Sequence, residues 1–511
     1  MSSTTPNTDI QDFEYTDLGN AKRWLFLYGE TYAYVPELGK WFRWNGVRWE
    51  EDTFNERTKT IDKFLQSIKE DSIVLSESVA DYEDELNISN AKELKKIGLV
   101  STDHKILHNL YESHEESVKW YTRSQSSSAI TAMFSIAAKY GNCISYSEYD
   151  KKGHYIGTEN CIVDLRNRSI VKDNPSYLMT NSCSVKYDPD AKCPNFIDTV
   201  KKALENDQET IAFFQRVIGQ CALGNKSVSH LIILSGNGAN LKSTIMDTIV
   251  DLLGDYSSVT TPDAITGNGN SKEYYLAELK GKRMTVMNES SRGAKLDDQT
   301  IKLLADSGMV QARFIYGKPF SYQNVATPIL TTNFPPAVSS DYAIARRILF
   351  VPFNYQVPAE LRNTNYRDEY LKTEMSGIFN WVLEGAQMYL KDGLNPPESI
   401  LKATREYFFE NDKVLQFVTE SYNSSALDKV SCQDIHQSFV TWCESKGVRP
   451  FSSKRLNNEL RSQGYDVDKS TGGIYYVHGI SIRHTFSTNT TPLSPSEKIK
   501  KDIEQATTLG Y

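Results

Sequence analysis

From Ile61 onward, apolar residues fall three and four apart (Ile61, Phe64, Leu65, Ile68) among many Lys and Glu, which predicts helices from 53 to about 140. Ahead of them, YAYVPELGKWFRWNGVRWEED (32–52) is aromatic-rich and centred on Asn45-Gly46, a dipeptide suited to a tight turn between strands; a hairpin is predicted. A short β segment, NCIVDLRNRSIV, begins at Asn160, the turn-rich KYDPDAKCPNF follows, and helical spacing resumes from Phe196 to about Leu223. Between Leu231 and Phe353, all-apolar runs alternate with helical stretches. Unbroken apolar runs mark strands buried on both faces, so a parallel α/β sheet is predicted. Residues 366 to 420 read as helical and Cys432 to Ile480 as a small separate domain.

The predicted organisation is a loose polar segment (1–30), an N-terminal domain of aromatic hairpin plus helices (31–225), an α/β core (226–360), a helical extension (361–425), a small C-terminal domain (426–485) and a flexible tail (486–511). At 511 residues, 39% hydrophobic and 24% charged, the chain has the balance of a soluble multidomain globular protein. No apolar run approaches the roughly 18 residues needed to cross a bilayer. The N-terminus has no signal pattern, and seven cysteines without a C-x-x-C pair predict no disulfide framework and no zinc site, so a cytoplasmic setting is expected. A net charge of −8 excludes a uniformly basic nucleic-acid binder, but not one whose lysines line a channel.

Directly after the apolar run ending in Leu234 comes SGNGANLKST (235–244), and an amphipathic helix is predicted from Thr244 to Leu253. Strand, Gly-rich loop, Lys-Ser and helix is the arrangement in which backbone N–H groups and a helix N-terminus converge on phosphates. Gly236, Asn237, Gly238, Ala239, Asn240, Leu241, Lys242, Ser243 and Thr244 are the candidate ATP-binding residues. Lys242 is suited to the β and γ phosphates and the Ser243 hydroxyl to Mg²⁺. Leu241 stands where such loops carry glycine, a substitution expected to be tolerable if its φ is negative.

Forty-seven residues beyond Lys242, the strand in GKRMTVMNESS ends in Asn288-Glu289. A carboxylate there is suited to polarise the water attacking the γ-phosphate, and Asn288 with Glu289 and Ser243 forms the candidate Mg²⁺ set. Forty-four residues later VATPILTTNFPP ends in Asn333, whose amide is suited to the γ-phosphate or the attacking water. Thirteen residues on, Arg346-Arg347 precede another apolar strand, and either arginine could meet transition-state charge.

This order of motifs resembles superfamily 3 DNA helicases, and more closely the helicase half of phage/plasmid and poxvirus-type primase-helicases. The resemblance rests on the loop residues above, on Arg283 with Glu289, on an A-R-x-x-Y-x-K-like hairpin matched by Ala312, Arg313, Tyr316 and Lys318, and on Arg346-Arg347 before an apolar-Pro-Phe strand. It implies an AAA+-like P-loop core, ATP and Mg²⁺ as cofactors, a hexameric ring, a hairpin whose lysine tracks the DNA backbone, and an arginine finger delivered to the neighbouring subunit. No D-x-D pair on a strand suggests a polymerase-like active site, so any primase or polymerase is expected to be a separate protein.

In the C-terminal segment, CQDIHQSFVTWCESKG and SSKRLNNELRSQG read as helices and YDVDKSTGGIYYVHGISI as a hairpin, a winged-helix pattern with Lys454, Arg455 and Arg461 as candidate phosphate contacts. The reading is a replicative DNA helicase of a phage, plasmid or similar element, acting on single-stranded and forked DNA in a host cytoplasm. The alternatives are a nucleotide-switched origin-binding or loading factor, and an ATPase that moves protein or packages DNA.

Overall fold

The computed structural model describes residues 13–172, 174–224, 226, 229–260, 272–288, 296–314, 319–338, 342–470 and 472–483. Within it the chain forms two compact units.

The first unit comprises residues up to 164, residues 168–187 and the segment 311–322. It begins earlier than the sequence pattern suggests: Asp17–Tyr28 is a helix, capped by Thr16, whose hydroxyl accepts from Gly19 N at 3.0 Å. Ala21 and Trp24, three apart on this helix, are fully buried, so the polar segment expected over 1–30 contains a core element. The predicted helical stretch is realised as Ile61–Leu86, Ala91–Ile97, Thr102–Ser124 and Ser127–Tyr140. The aromatic stretch forms a three-stranded antiparallel sheet, β1 (Tyr32–Val35), β2 (Lys40–Trp44) and β3 (Trp49–Glu51). Asn45 makes the β2–β3 turn, its side-chain oxygen accepting from Val47 N and Arg48 N at 3.0 and 2.9 Å.

Strand alternation explains why so many aromatics sit here. Tyr32 and Trp41 pack with Trp24, Phe64, Trp120 and Met133 from the helices, whereas Ala33, Val35, Phe42 and Trp49 pack with Tyr149 on the opposite face. The sheet is therefore core on both sides. A second sheet, β4 (Tyr155–Gly157), β5 (Ile162–Asp164) and β6 (Ser169–Val171), is antiparallel throughout.

The second unit holds a five-stranded sheet: β7 (Leu231–Ser235), β8 (Ser257–Thr260), β9 (Met284–Asn288), β12 (Thr327–Thr332) and β13 (Ile348–Pro352). Its order is β13-β7-β12-β9-β8 and every pairing is parallel. All residues of β7 and β12 are buried, as their apolar runs predict. Helices Gln208–Ala222 and Met375–Asp392 cross at Gly219 and Gly385, where a Cβ on Gly219 would lie 2.0 Å from the Gly385 carbonyl carbon.

Two short strands, β10 (Met309–Ala312) and β11 (Phe320–Gln323), pair as a hairpin. Residues 311–322 group with the first unit, not with the α/β core to which the sequence assigned them. At the hairpin root Phe314 stacks on Phe320 with centroids 5.3 Å apart, and Tyr146 meets Phe320 edge-on at 5.3 Å. The C-terminal part runs helix Lys413–Ser421, strand β14 (Tyr422–Ser431), helices Cys432–Ser445 and Ser453–Ser462, then β15 (Val467–Lys469) and β16 (Tyr475–Ile482), sharing one core. The expected flexible tail lies outside the described residues, as do Glu289, Tyr316 and Lys318. No helix among the described residues is long and apolar enough to cross a membrane.

Candidate functional site

Register decides what meets at the carboxyl end of the sheet. Thr332 of β12 lies opposite Ser235 of β7, and Thr331 lies opposite Asn288 of β9. The Gly-rich loop, the Asn288 end and Asn333 therefore leave the sheet at one level, where ligands bind in open parallel sheets.

The loop is fixed from below. Asn240 is buried; its Nδ2 donates to Phe353 O at 3.2 Å and its Oδ1 accepts from Lys242 N at 3.4 Å. Only glycine fits at 236, because a Cβ there would lie 2.1 Å from Asn240 Nδ2 and 2.3 Å from Phe353 O. Lys242 opens the helix Lys242–Leu253, two residues earlier than expected, and no side chain caps that helix. Lys242 is 4% exposed, and its ammonium donates to Thr332 O at 2.6 Å and to Asn333 Oδ1 at 3.2 Å.

Leu241 corrects one expectation. Its φ is +64°, in the left-handed region, and Ala239 (+50°) and Gly238 (+87°) lie there too. The loop turns left-handed so that successive N–H groups can face one point, a path glycine follows without strain and leucine follows at a cost of about 1–2 kcal/mol. The departures from glycine at 239 and 241 are strained positions that the surrounding bonds hold, among them Val357 N to Ala239 O at 2.8 Å.

These residues fit a nucleoside triphosphate with its Mg²⁺. The helix N-terminus is open to an anion, Lys242 is beside it, and the Ser243 hydroxyl is exposed. The Asn288 side chain is exposed at its strand end and accepts from Thr331 Oγ1 at 2.8 Å. Sequence reasoning missed a neighbouring recess of about 270 Å³ lined by Leu241, Thr244, Lys202, Tyr355, Val357 and Tyr366 among others. The residues 355–366 carry no motif; only the fold brings them to the loop.

The two arginines separate cleanly. Arg347 grips Asp306 with two bonds, Nε–Oδ1 at 3.0 Å and Nη2–Oδ2 at 2.9 Å, and gives Nη1 to Ala343 O at 2.7 Å. That guanidinium holds the Asp306 carboxyl below its ordinary range. Arg346 is exposed. Both lie at the start of β13, where Leu231 N bonds Arg347 O at 2.6 Å, so one strand length (five residues, about 16 Å) separates them from the loop at the other end of β7. Nearby, Lys226 is buried with its ammonium on Leu304 O and Ala326 O at 2.7 and 2.9 Å, and burial pushes it down to about 7.

Arg283, matched to the family's acidic-strand motif, is buried and bonds Ala222 O while stacking over the Tyr256 ring at 4.2 Å, a structural position. Arg313 is exposed at the hairpin. In the C-terminal part Lys454 is exposed and Arg455 is 61% exposed, lying over the Phe451 ring at 4.1 Å. Arg461 instead donates to Val467 O at 3.1 Å and ties the helix to β15.

Three family models match the chain in succession: D5 N terminal like over residues 21–205, a family of unknown function over 234–347, and poxvirus D5 protein-like over 409–465. A protein of Acanthamoeba polyphaga mimivirus, provisionally designated helicase L207/L206, is 24% identical over 339 residues. That match covers 61% of this chain and 35% of the mimivirus protein, so the chain spans about a third of that relative. Two apo structures of the NrS-1 C-terminal region align at a TM-score of 0.47 and 12% identity. One covers 90% of this chain and 98% of its own; the other covers 92% and 100%.

Proposed function

We propose, for a chain that belongs to the D5-type primase-helicase family, that it is an ATP-driven replicative DNA helicase of superfamily 3, working as a ring, probing single-stranded and forked DNA. The observation that carries this reading is the Lys242 ammonium, buried at the head of an uncapped helix and bonded to both the carbonyl and the side chain at the end of β12. A phosphate chain entering the loop competes for that ammonium and draws it from Thr332 and Asn333. Nucleotide occupancy is thereby linked to the strand that follows the β10–β11 hairpin. Bound Mg²⁺ would neutralise phosphate charge, held by Ser243 and, through water, by Asn288; Glu289 is the proposed base. The recess beside Leu241 and Tyr355 is suited to the nucleoside end.

Arg346 lies too far from its own loop to serve it, so it is proposed to serve the neighbouring subunit's, with hexameric closure of the ring. Lys318, Arg313 and Tyr316 are the proposed DNA contacts of the hairpin. The helices and strands from 413 to 482 are proposed to act as a winged helix, with Lys454 and Arg455 as its phosphate contacts; Arg461, bonded to Val467 O, is proposed to serve packing instead. The test is ATP hydrolysis with and without single-stranded DNA, alongside unwinding of a forked duplex. Lys242→Ala should abolish hydrolysis and unwinding while leaving the protein folded. Hydrolysis by the wild type without unwinding would favour the nucleotide-switched loading factor.

A further inference from the structure

In the second unit, one buried junction fastens together parts that lie far apart along the chain. Helix Asp298–Ala305 ends at it, and the last carbonyls of a helix have no partner within the helix. Lys226 supplies one: its ammonium donates to Leu304 O at 2.7 Å, and also to Ala326 O at 2.9 Å, just before β12. Asn324, 1% exposed, supplies others, its Nδ2 donating to Leu303 O and Leu304 O at 3.4 and 3.3 Å. Its Oδ1 accepts from Ala326 N at 3.1 Å, and its own N–H donates to Gly308 O at 3.1 Å. Because β10 begins at Met309 and β11 ends at Gln323, Gly308 and Asn324 are the two feet of the hairpin.

The same helix end holds the arginine pair. Asp306 follows Ala305 directly and makes the two-bond grip on Arg347, the neighbour of Arg346. The hairpin feet, the entry to β12 and the start of β13 are thereby tied to one helix end. Among the described residues Lys226 bonds no carboxylate; the partial negative charge of the helix end takes that place. A buried ammonium carries a desolvation cost that a packed apolar side chain of similar volume avoids, so its position here points to a task other than stability.

We propose that Lys226, Asn324 and Asp306 are positioning residues of a relay: DNA held by the hairpin shifts its feet, the junction passes that shift to Arg347, and Arg346 is thereby set for the neighbouring subunit's nucleotide. This rests on the proposed roles of the hairpin and of Arg346, and adds how DNA regulates hydrolysis. Such a relay works through bonds between rigid pieces, so removing a bond uncouples the two ends without disabling either.

The test compares ATP hydrolysis by the full chain with and without a 20-mer oligothymidylate, alongside binding of that oligonucleotide by fluorescence anisotropy. The wild type should be stimulated about fivefold or more, the low end of ordinary coupling between sites. Lys226→Met and Asp306→Asn should lose that stimulation, with basal hydrolysis and oligonucleotide affinity within about twofold of wild type. Lys226→Gln, which still offers two hydrogens, should keep more stimulation than Lys226→Met. Placed on Arg346→Ala, Lys226→Met should lower turnover no further, because both lie on one path. Thermal melting identifies a variant that fails to fold; if Lys226→Met does, Asp306→Asn decides. Wild-type stimulation in the folded variants overturns the relay and leaves the proposed function standing. A wild type that hydrolyses ATP without stimulation by the oligonucleotide overturns the relay and the helicase reading together. Equal loss in Lys226→Gln, a further drop on Arg346→Ala, or lost oligonucleotide binding in Lys226→Met also overturns the relay.

Discussion

Replacing Arg346 and Arg347 one at a time should give opposite signatures, although they are neighbours of the same type. The Arg347 side chain is 11% exposed and makes a two-bond grip on Asp306, which is 38% exposed. Breaking a fully buried ion pair from one side costs about 3–5 kcal/mol. Solvent reaching Asp306 screens this one, so about 1–2 kcal/mol is expected for Arg347→Ala. For a unit of this size that is a fall in melting temperature of about 1.5–3 °C. The pair lowers the Asp306 carboxyl, so its contribution is present above the carboxylate's unfolded value and is lost as pH falls through the folded one. The deficit of the variant should therefore be constant from pH 6 to 8. Arg346 is exposed, so Arg346→Ala should leave the melting temperature unchanged within about 1 °C. As a finger it should instead lower ATP turnover on the order of 10³-fold. Differential scanning fluorimetry and steady-state hydrolysis measure both. Mixing Arg346→Ala with Lys242→Ala subunits should restore part of the activity, because some interfaces then join an intact loop to an intact finger. A stable but inactive Arg347→Ala beside a fully active Arg346→Ala would refute the assignment. Mixtures that assemble and stay inactive would refute delivery in trans.

Leu241→Gly should keep hydrolysis within a few-fold of wild type and change the melting temperature little, because relief at φ +64° offsets the entropy glycine adds to the unfolded chain; Leu241→Val, β-branched in the same region, should lower both. Lys318→Ala should keep basal hydrolysis but lose unwinding, with a shallower salt dependence of single-strand binding; full unwinding would remove that lysine from the mechanism. Burial, then the Lys226 charge, pushes His230 down to about 4, so the unfolded chain takes up its proton first as pH falls. The stability this histidine contributes is complete above its unfolded value near 6.5 and is lost between there and about 4, up to roughly 3 kcal/mol. The melting temperature should drop over that window, and His230→Gln should flatten the drop; an unchanged slope would contradict the burial argument.

Local patterning determined the elements and the chemistry-bearing loop. Apolar runs gave β7 and β12, three-and-four spacing gave the helices from Ile61 to Tyr140, and the Gly-rich loop ending in Lys242-Ser243 was legible because a tight turn from strand to helix imposes residue types at close spacing. The sequence misjudged the helix Asp17–Tyr28: its apolar residues, among them the fully buried Ala21 and Trp24, follow directly on a polar run and read together with it as one loose segment. It also could not say that β1–β3 is covered on both faces, since each face is buried by residues a hundred or so positions apart in the chain.

Tertiary structure alone decided three matters, each because it depends on distance between parts far apart in sequence. Parallel register set Thr332 beside Ser235, which put the Lys242 ammonium on Asn333 across an interval of 91 residues. Backbone path turned Leu241 left-handed, which no residue-type rule foretells. Strand direction put Arg346 at the opposite end of the sheet from its own loop. Identity at positions 346 and 347 is the same, so only the partner Asp306, reached through folding, distinguishes the arginine that holds the structure from the one left exposed.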